Sequence, residues 1–186
     1  MSVTVTTSRR AGLVARFASV LKTSPAETGQ PERSQFHHRH EDALAVLSAT
    51  RGVIARGWAQ KTWYVMETPE RPRPALQRFF PSRLDHQRVV GACLVGAVMH
   101  GGWQLSPRPE YAYPAIDALW HALFDTVATG NADPVGPMTP PLVRAARVRD
   151  LTTWNDREHR TKQEVLRLVD LATARVSSQR DTAVDA

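Results

Sequence analysis

Apolar residues recur at helical spacing in several separate stretches of the chain, each bounded by proline, glycine or a capping pair. The clearest is near the C-terminus. Val165, Leu168, Val169 and Ala172 fall at i, i+3, i+4 and i+7, with Arg167 and Asp170 turned away. Just upstream, Thr161 and Glu164 fit the S/T-x-x-E capping box, so the spacing predicts a helix from Lys162, after which residues 177–186 read as frayed or disordered. Ala43, Leu44, Leu47 and Ile54 predict a first core helix over 41–56, ended by Gly57. Ser82 and Asp85 mark a second start, and Val89, Val90, Cys93, Leu94, Ala97 and Val98 predict a central helix over about 84–100. Its small residues Gly91, Ala92, Gly96 and Ala97 suit close approach of another helix. Pro114 opens a further helix carrying Ile116, Leu119, Trp120, Leu123 and Val127, and a short one is expected over 142–151.

Between these elements the pattern weakens. Residues 58–66 mix aromatic and polar side chains and read as extended or irregular, Pro69, Pro72, Pro74 and Pro81 forbid a long regular element, and Pro134 to Pro141 break the chain again. Leu13, Val14, Phe17, Ala18 and Leu21 suggest a short amphipathic helix near the N-terminus, followed by a polar linker over 23–35. The expectation is a mostly α, compact single-domain fold of about four to six helices with irregular Pro-rich connections. Its parts are an N-terminal arm and linker over 1–40, a helical domain over 41–176 and a disordered tail over 177–186.

Composition narrows the class of protein without naming a reaction. The 186 residues carry 24 basic and 18 acidic side chains, for a formal charge of +6, and 42% are hydrophobic, which is ordinary for a globular chain. Only Lys22, Lys61 and Lys162 among the basic residues are lysine. Arginine abundance of this kind follows GC-rich coding, so it says little about phosphate binding. Cys93 is the lone cysteine, which excludes an intrachain disulfide and suits a reducing cytoplasm. The run from Val89 to Met99 is far short of the roughly 20 residues of a spanning helix, so no membrane association is expected.

In order, Leu44, Gly57-Trp58, Cys93-Leu94-Val95-Gly96-Ala97, Trp154-Asn155-Asp156 and Arg160-Thr161 with Glu164-Val165 resemble a domain-of-unknown-function family of small actinobacterial and actinophage proteins. The resemblance covers residues 41–175. It implies kinship and carries no activity, cofactor or catalytic residue. The N-terminal extension and the Pro/Arg-rich 69–83 stretch depart from that pattern.

Candidate chemistry is sparse. His37, His40 and Glu41 are metal-ligand types, but ordered sites draw ligands from separate elements or from i, i+4 positions, and a solvated helix lead-in explains them; no metal or other cofactor is expected. Arg71, Arg73, Arg78, Arg83 and Arg88, interleaved with Phe79 and Phe80, have the makeup of a nucleic-acid contact without any recognised nucleic-acid motif. Cys93 falls in an apolar stripe, where a packed thiol is the expectation. Asp156 and His159 have acid/base character, and with Trp58, Trp63 and Tyr64 they would make an enzyme pocket if they converge. The alternative is that Trp154, Asn155, Asp156, Thr161 and Glu164 form a structural clasp of anchor, turn and helix cap. P-loop, GxGxxG, serine-elbow and HExxH patterns are absent. These readings favour a small binding or regulatory protein acting on a protein partner or by self-association, with an enzyme of unknown class and an accessory nucleic-acid binder as alternatives.

Overall fold

The first helix, α1 (Gly29–Arg56), begins twelve residues before the expected Glu41, inside the stretch read as linker. It appears in a computed structural model that describes residues 29–67, 73–74, 85–124 and 139–184. The expected helix at 9–22 and the arginines at 71, 78 and 83 lie outside the described residues. The chain divides into two units, residues 1–34 and 35–186; only the opening of α1 is described in the first, and all that follows concerns the second.

Ala43, Val46, Leu47, Val53 and Ile54 form the buried face of α1. The helix stops at Gly57, whose N–H still bonds Val53 O at 3.1 Å. A Cβ here would lie 2.3 Å from Val90 O, so only glycine fits this close passage of two backbones. Beyond it, β1 (Tyr64–Met66) is the middle strand of a three-stranded antiparallel sheet, with β2 (Arg73–Pro74) on one side and β3 (Val89–Ala92) on the other. Tyr64 pairs with Ala92, Val65 with Gly91 and Met66 with Val89, and the register shifts between Val65 and Met66. Trp58 adds a parallel bridge to Ala92.

The single central helix expected over 84–100 is therefore corrected to three pieces: a 3-10 turn (His86–Arg88), strand β3, and α2 (Leu94–Leu105). The β-branched pair Val89-Val90 and the Cβ-free Gly91 suit a strand packed against the Gly57 backbone, with 3.0 Å between a built Gly91 Cβ and Gly57 O. Helix geometry begins only after Cys93, which caps α2 through Sγ accepting the Gly96 N–H at 3.3 Å. Gly96 also meets the Trp63 carbonyl rather than another helix; the close helix–helix approach is made by Gly101 against Ala49 of α1.

After a second 3-10 turn (Pro109–Ala112) come α3 (Tyr113–Phe124), α4 (Pro141–Asn155) and α5 (Lys162–Val184). Pairings of Tyr113 with Arg144, Asp117 with Arg147 and Trp120 with Asp150 show that α3 and α4 run parallel. The antiparallel α1–α5 pair is tied by Arg51 to Asp170 at 2.7 Å and by Lys162 Nζ to Ala55 O at 2.8 Å. The tail expected to fray from Ser177 is helical to Val184. No glycine or proline interrupts it, and Val176 is fully buried. Mostly α is the right class, with a small sheet that the hydrophobic pattern did not announce. No helix among the described residues is long and apolar enough to cross a membrane.

Candidate functional site

Asn155, the last residue of α4, is fully buried, and its side chain joins three parts of the chain. Oδ1 accepts from Trp58 Nε1 at 2.9 Å and from the Leu94 N–H at 3.1 Å, while Nδ2 donates to Ala59 O at 3.2 Å and to Asp156 Oδ1 at 2.8 Å. The Asp156 carboxylate also accepts the Lys61 N–H at 2.9 Å. Gln60 Nε2 donates to Asn155 O and Arg157 O. Lys61 sits at φ 59°, a left-handed conformation that this double grip holds in place. The expected local turn is thus a helix end whose side chains reach across the sequence, and the first N–H of α2 is answered by a distant residue beside the local Cys93 cap.

A small cavity of about 180 Å³ opens beside this junction, lined by Lys61, Thr62, Trp63, Cys93, Thr152 and Asp156. It brings together two of the aromatic and acid/base candidates, Trp63 and Asp156, but His159 is exposed and does not line it. Burial pushes the Cys93 thiol up to about 11, with the Asp156 charge acting in the same direction and the Gly96 N–H opposing it, so the sulfur is a neutral thiol near neutral pH. Tyr64 is buried with no hydrogen-bond partner for its hydroxyl among the described residues, and burial raises its phenol far above the ordinary value.

The larger cavity, about 350 Å³, lies between α1, the 109–112 turn, the start of α3 and the start of α4. Sequence reasoning missed it entirely. Its walls include the rings of Tyr111, Tyr113 and Pro114, and its charged groups are Arg39, Arg108 and Arg144 with Asp42, Glu110 and Asp117. Asp117 is buried between α3 and α4, where Arg147 Nη1 lies 2.7 Å from Oδ1, Thr139 Oγ1 donates to Oδ2 at 2.8 Å and Arg144 Nη2 is 3.8 Å away. Arg144 stacks over Tyr113 and Arg147 over Trp120, at 4.1 and 4.8 Å from the ring centroids. The Tyr111 hydroxyl donates to Asp42 at 2.5 Å, a bond that carries the phenol up to about 12. Two signals foreshadow the site: an acid placed between Ile116 and Ala118 in an apolar helix, and arginines three apart at 144 and 147.

The other candidates disperse. His40 is buried in α1 whereas Glu41 is exposed, 3.9 Å from the likewise exposed His38, and the His37 side chain is outside the described set. Among the described residues no three metal-ligating side chains cluster. Arg73 lies on β2, and Arg88 donates through Nε and Nη2 to Glu67 O at 3.1 and 2.7 Å, which ties the 3-10 turn to β1's end. Trp154 is half-buried, with the Arg160 guanidinium 3.9 Å from its ring centroid. Thr161 and Glu164 make both bonds of a capping box, at 2.8 and 3.3 Å. Those bonds, with Arg160 nearby, hold the Glu164 carboxyl below its ordinary range.

Fold and site define a mostly helical domain with one buried polar junction and one open, charged and aromatic cavity. The chain belongs to the DUF6197 family, a family of unknown function, whose pattern matches residues 38–175. That span contains both cavities and leaves out most of the N-terminal arm. Neither a curated protein nor a solved structure matches the chain.

Proposed function

We propose that this protein is a binding or regulatory domain whose ligand enters the Arg39–Tyr113–Arg144 cavity. The observation that carries this reading is the state of the polar groups in the two cavities. In the smaller one Asp156 Oδ1 accepts two N–H donors and Cys93 is a neutral buried thiol, so the sulfur is not poised to attack a carbonyl near neutral pH. The larger one is roomier, is lined by Tyr111, Tyr113 and Pro114, and keeps two guanidinium groups, Arg39 and Arg108, without an ion-pair partner among the described residues. Concave, largely apolar surfaces with a few directed polar groups are the usual form of a ligand site.

A protein partner is the second reading, favoured by Leu142 and Val143 at the start of α4, of which Leu142 is 87% exposed. The arginine-for-lysine bias supports an actinobacterial or actinophage source, and the lone buried thiol supports a reducing cytoplasm. The deciding experiment is a ligand-observed NMR screen of a chemically diverse fragment set, with binders located on the isotopically labelled protein. Shifts centred on Tyr111, Tyr113 and Asp117 support the reading; binders that map only to the Cys93 cavity, with turnover of any of them, would return the enzyme alternative.

A further inference from the structure

The charges around the larger cavity are unequally committed. Asp117 is ion-paired where it sits by Arg147 at 2.7 Å and hydrogen-bonded by Thr139 at 2.8 Å, and Asp42 accepts a hydrogen bond from the Tyr111 hydroxyl. Counting Arg147 with the lining gives four guanidinium groups against three carboxylates, a surplus of one positive charge. The Nε of Arg144, which lines the cavity, is moreover a buried donor without an acceptor among the described residues. Arg39 and Arg108, from α1 and from the residue before the 109–112 turn, make no ion pair among the described residues. Asp42, three residues on from Arg39 in α1, and the exposed Glu110 are the carboxylates that face them.

Ring residues make up much of the remaining lining. Tyr111, Tyr113 and Pro114 line the cavity with those arginines, and Arg144 is held against one face of Tyr113, so its guanidinium is pre-oriented. Such a site favours a molecule that offers a ring to the tyrosines and a negative group to the arginines. Resting on the binding function proposed above, we propose that the ligand class is a small aromatic anion, an aryl carboxylate or aryl phosphate, with its ring against Tyr111, Tyr113 and Pro114 and its anionic group between Arg39 and Arg108. Guanidinium groups take either anion through paired N–H donors. A cationic or purely aliphatic ligand lacks a partner for one half of this arrangement.

The test is calorimetric titration of the full chain with benzoate, phenyl phosphate, benzamide, benzylamine and inorganic phosphate, repeated on the Arg39→Gln/Arg108→Gln double variant. Because neither arginine has an ion-pair partner to lose among the described residues, the double variant is expected to melt like the parent. The expected result is binding of benzoate or phenyl phosphate, with benzamide at least about tenfold weaker and the double variant losing about tenfold or more for the anion. Benzoate against phenyl phosphate decides which anion is preferred. Equal binding of benzamide or benzylamine, mapped to Tyr111 and Tyr113, would overturn the charge assignment while leaving a binding cavity in place. Inorganic phosphate binding as tightly as phenyl phosphate would remove the rings from the argument. Silence from all five probes overturns this proposal, while fragments of other chemistry found at Tyr111 and Tyr113 in the NMR screen would still uphold the cavity as a binding site.

Discussion

Trp58 and Asn155 stand 97 positions apart, yet the indole N–H of one donates to the side-chain oxygen of the other at 2.9 Å inside the protein. The same oxygen takes the first N–H of α2, so one amide completes the end of α1's exit loop, the start of α2 and the end of α4.

Replacing that amide strands its partners. Asn155→Ala leaves Trp58 Nε1, the Leu94 N–H and Ala59 O without their bonds, at about 1–3 kcal/mol for each buried group. A loss of roughly 3 kcal/mol or more in urea denaturation is expected. A variant within about 1 kcal/mol of the parent would show that water replaces the amide without cost.

Two glycines separate close packing from helix propensity. At Gly96 a Cβ would lie 2.2 Å from the Trp63 carbonyl, backbone that cannot swing aside, and Gly96→Ala is expected to destabilise by about 2 kcal/mol. At Gly52, inside α1, the nearest atom is the far end of Arg56 at 3.7 Å, and Gly52→Ala is expected to stabilise by up to about 1 kcal/mol. Thermal melts of the two variants should therefore move in opposite directions.

Acid should loosen the fold at His100. Its Nε2 lies 2.9 Å from Gln104 Nε2 and its Nδ1 2.9 Å from His86 Nδ1, so the amide donates to Nε2 and the proton sits on His100 Nδ1, assigned from the network. Burial, then the neighbouring His86 and Arg56, lower His100 to about 4, below its ordinary 6.5. The unfolded chain then binds the extra proton first. Stability from this group is complete above about pH 6.5 and is lost as the pH falls toward 4, by about 2–3 kcal/mol. His100→Gln should flatten the stability profile in that window; an unchanged slope would assign the acid response elsewhere.

Cys93 should be slow to react. With the thiol buried and carried up to about 11, labelling of the native protein by a disulfide reagent at pH 7.5 is expected to need opening of the structure and to accelerate in step with added urea. Labelling within seconds in buffer alone would mean that the small cavity exposes the sulfur.

Local signals survived translation into structure best. Thr161 and Glu164 are adjacent in space because they are adjacent in sequence, and α5 begins at the residue the capping box indicates. The Val165, Leu168, Val169 and Ala172 face is buried as its spacing requires. Where partners are distant, the pattern misled. Val89 and Val90 belong to a strand because β1, more than twenty positions earlier, supplies the hydrogen bonds that a helix would have drawn from within the segment. The larger cavity stayed hidden for the same reason: Arg39, Tyr111, Asp117 and Arg144 mean little singly and acquire a role only when α3 and α4 lie parallel. Asp156 is legible as part of a turn, but its grip on Lys61 depends on a loop almost a hundred residues away.

The remote acceptor at the start of α2 also sets an order of events during synthesis. A ribosome that has released residues up to about 150 has delivered the sheet and the four helices before α5 nearly whole, yet the Leu94 N–H, the Trp58 indole and the Ala59 carbonyl still await the one side chain that answers all three. Until Asn155 emerges, the nascent chain holds a hydrophobic centre with its polar seam open. The domain can close only when most of its length has been made, and a protein halted just short of that point would offer its open seam to chaperones or proteases.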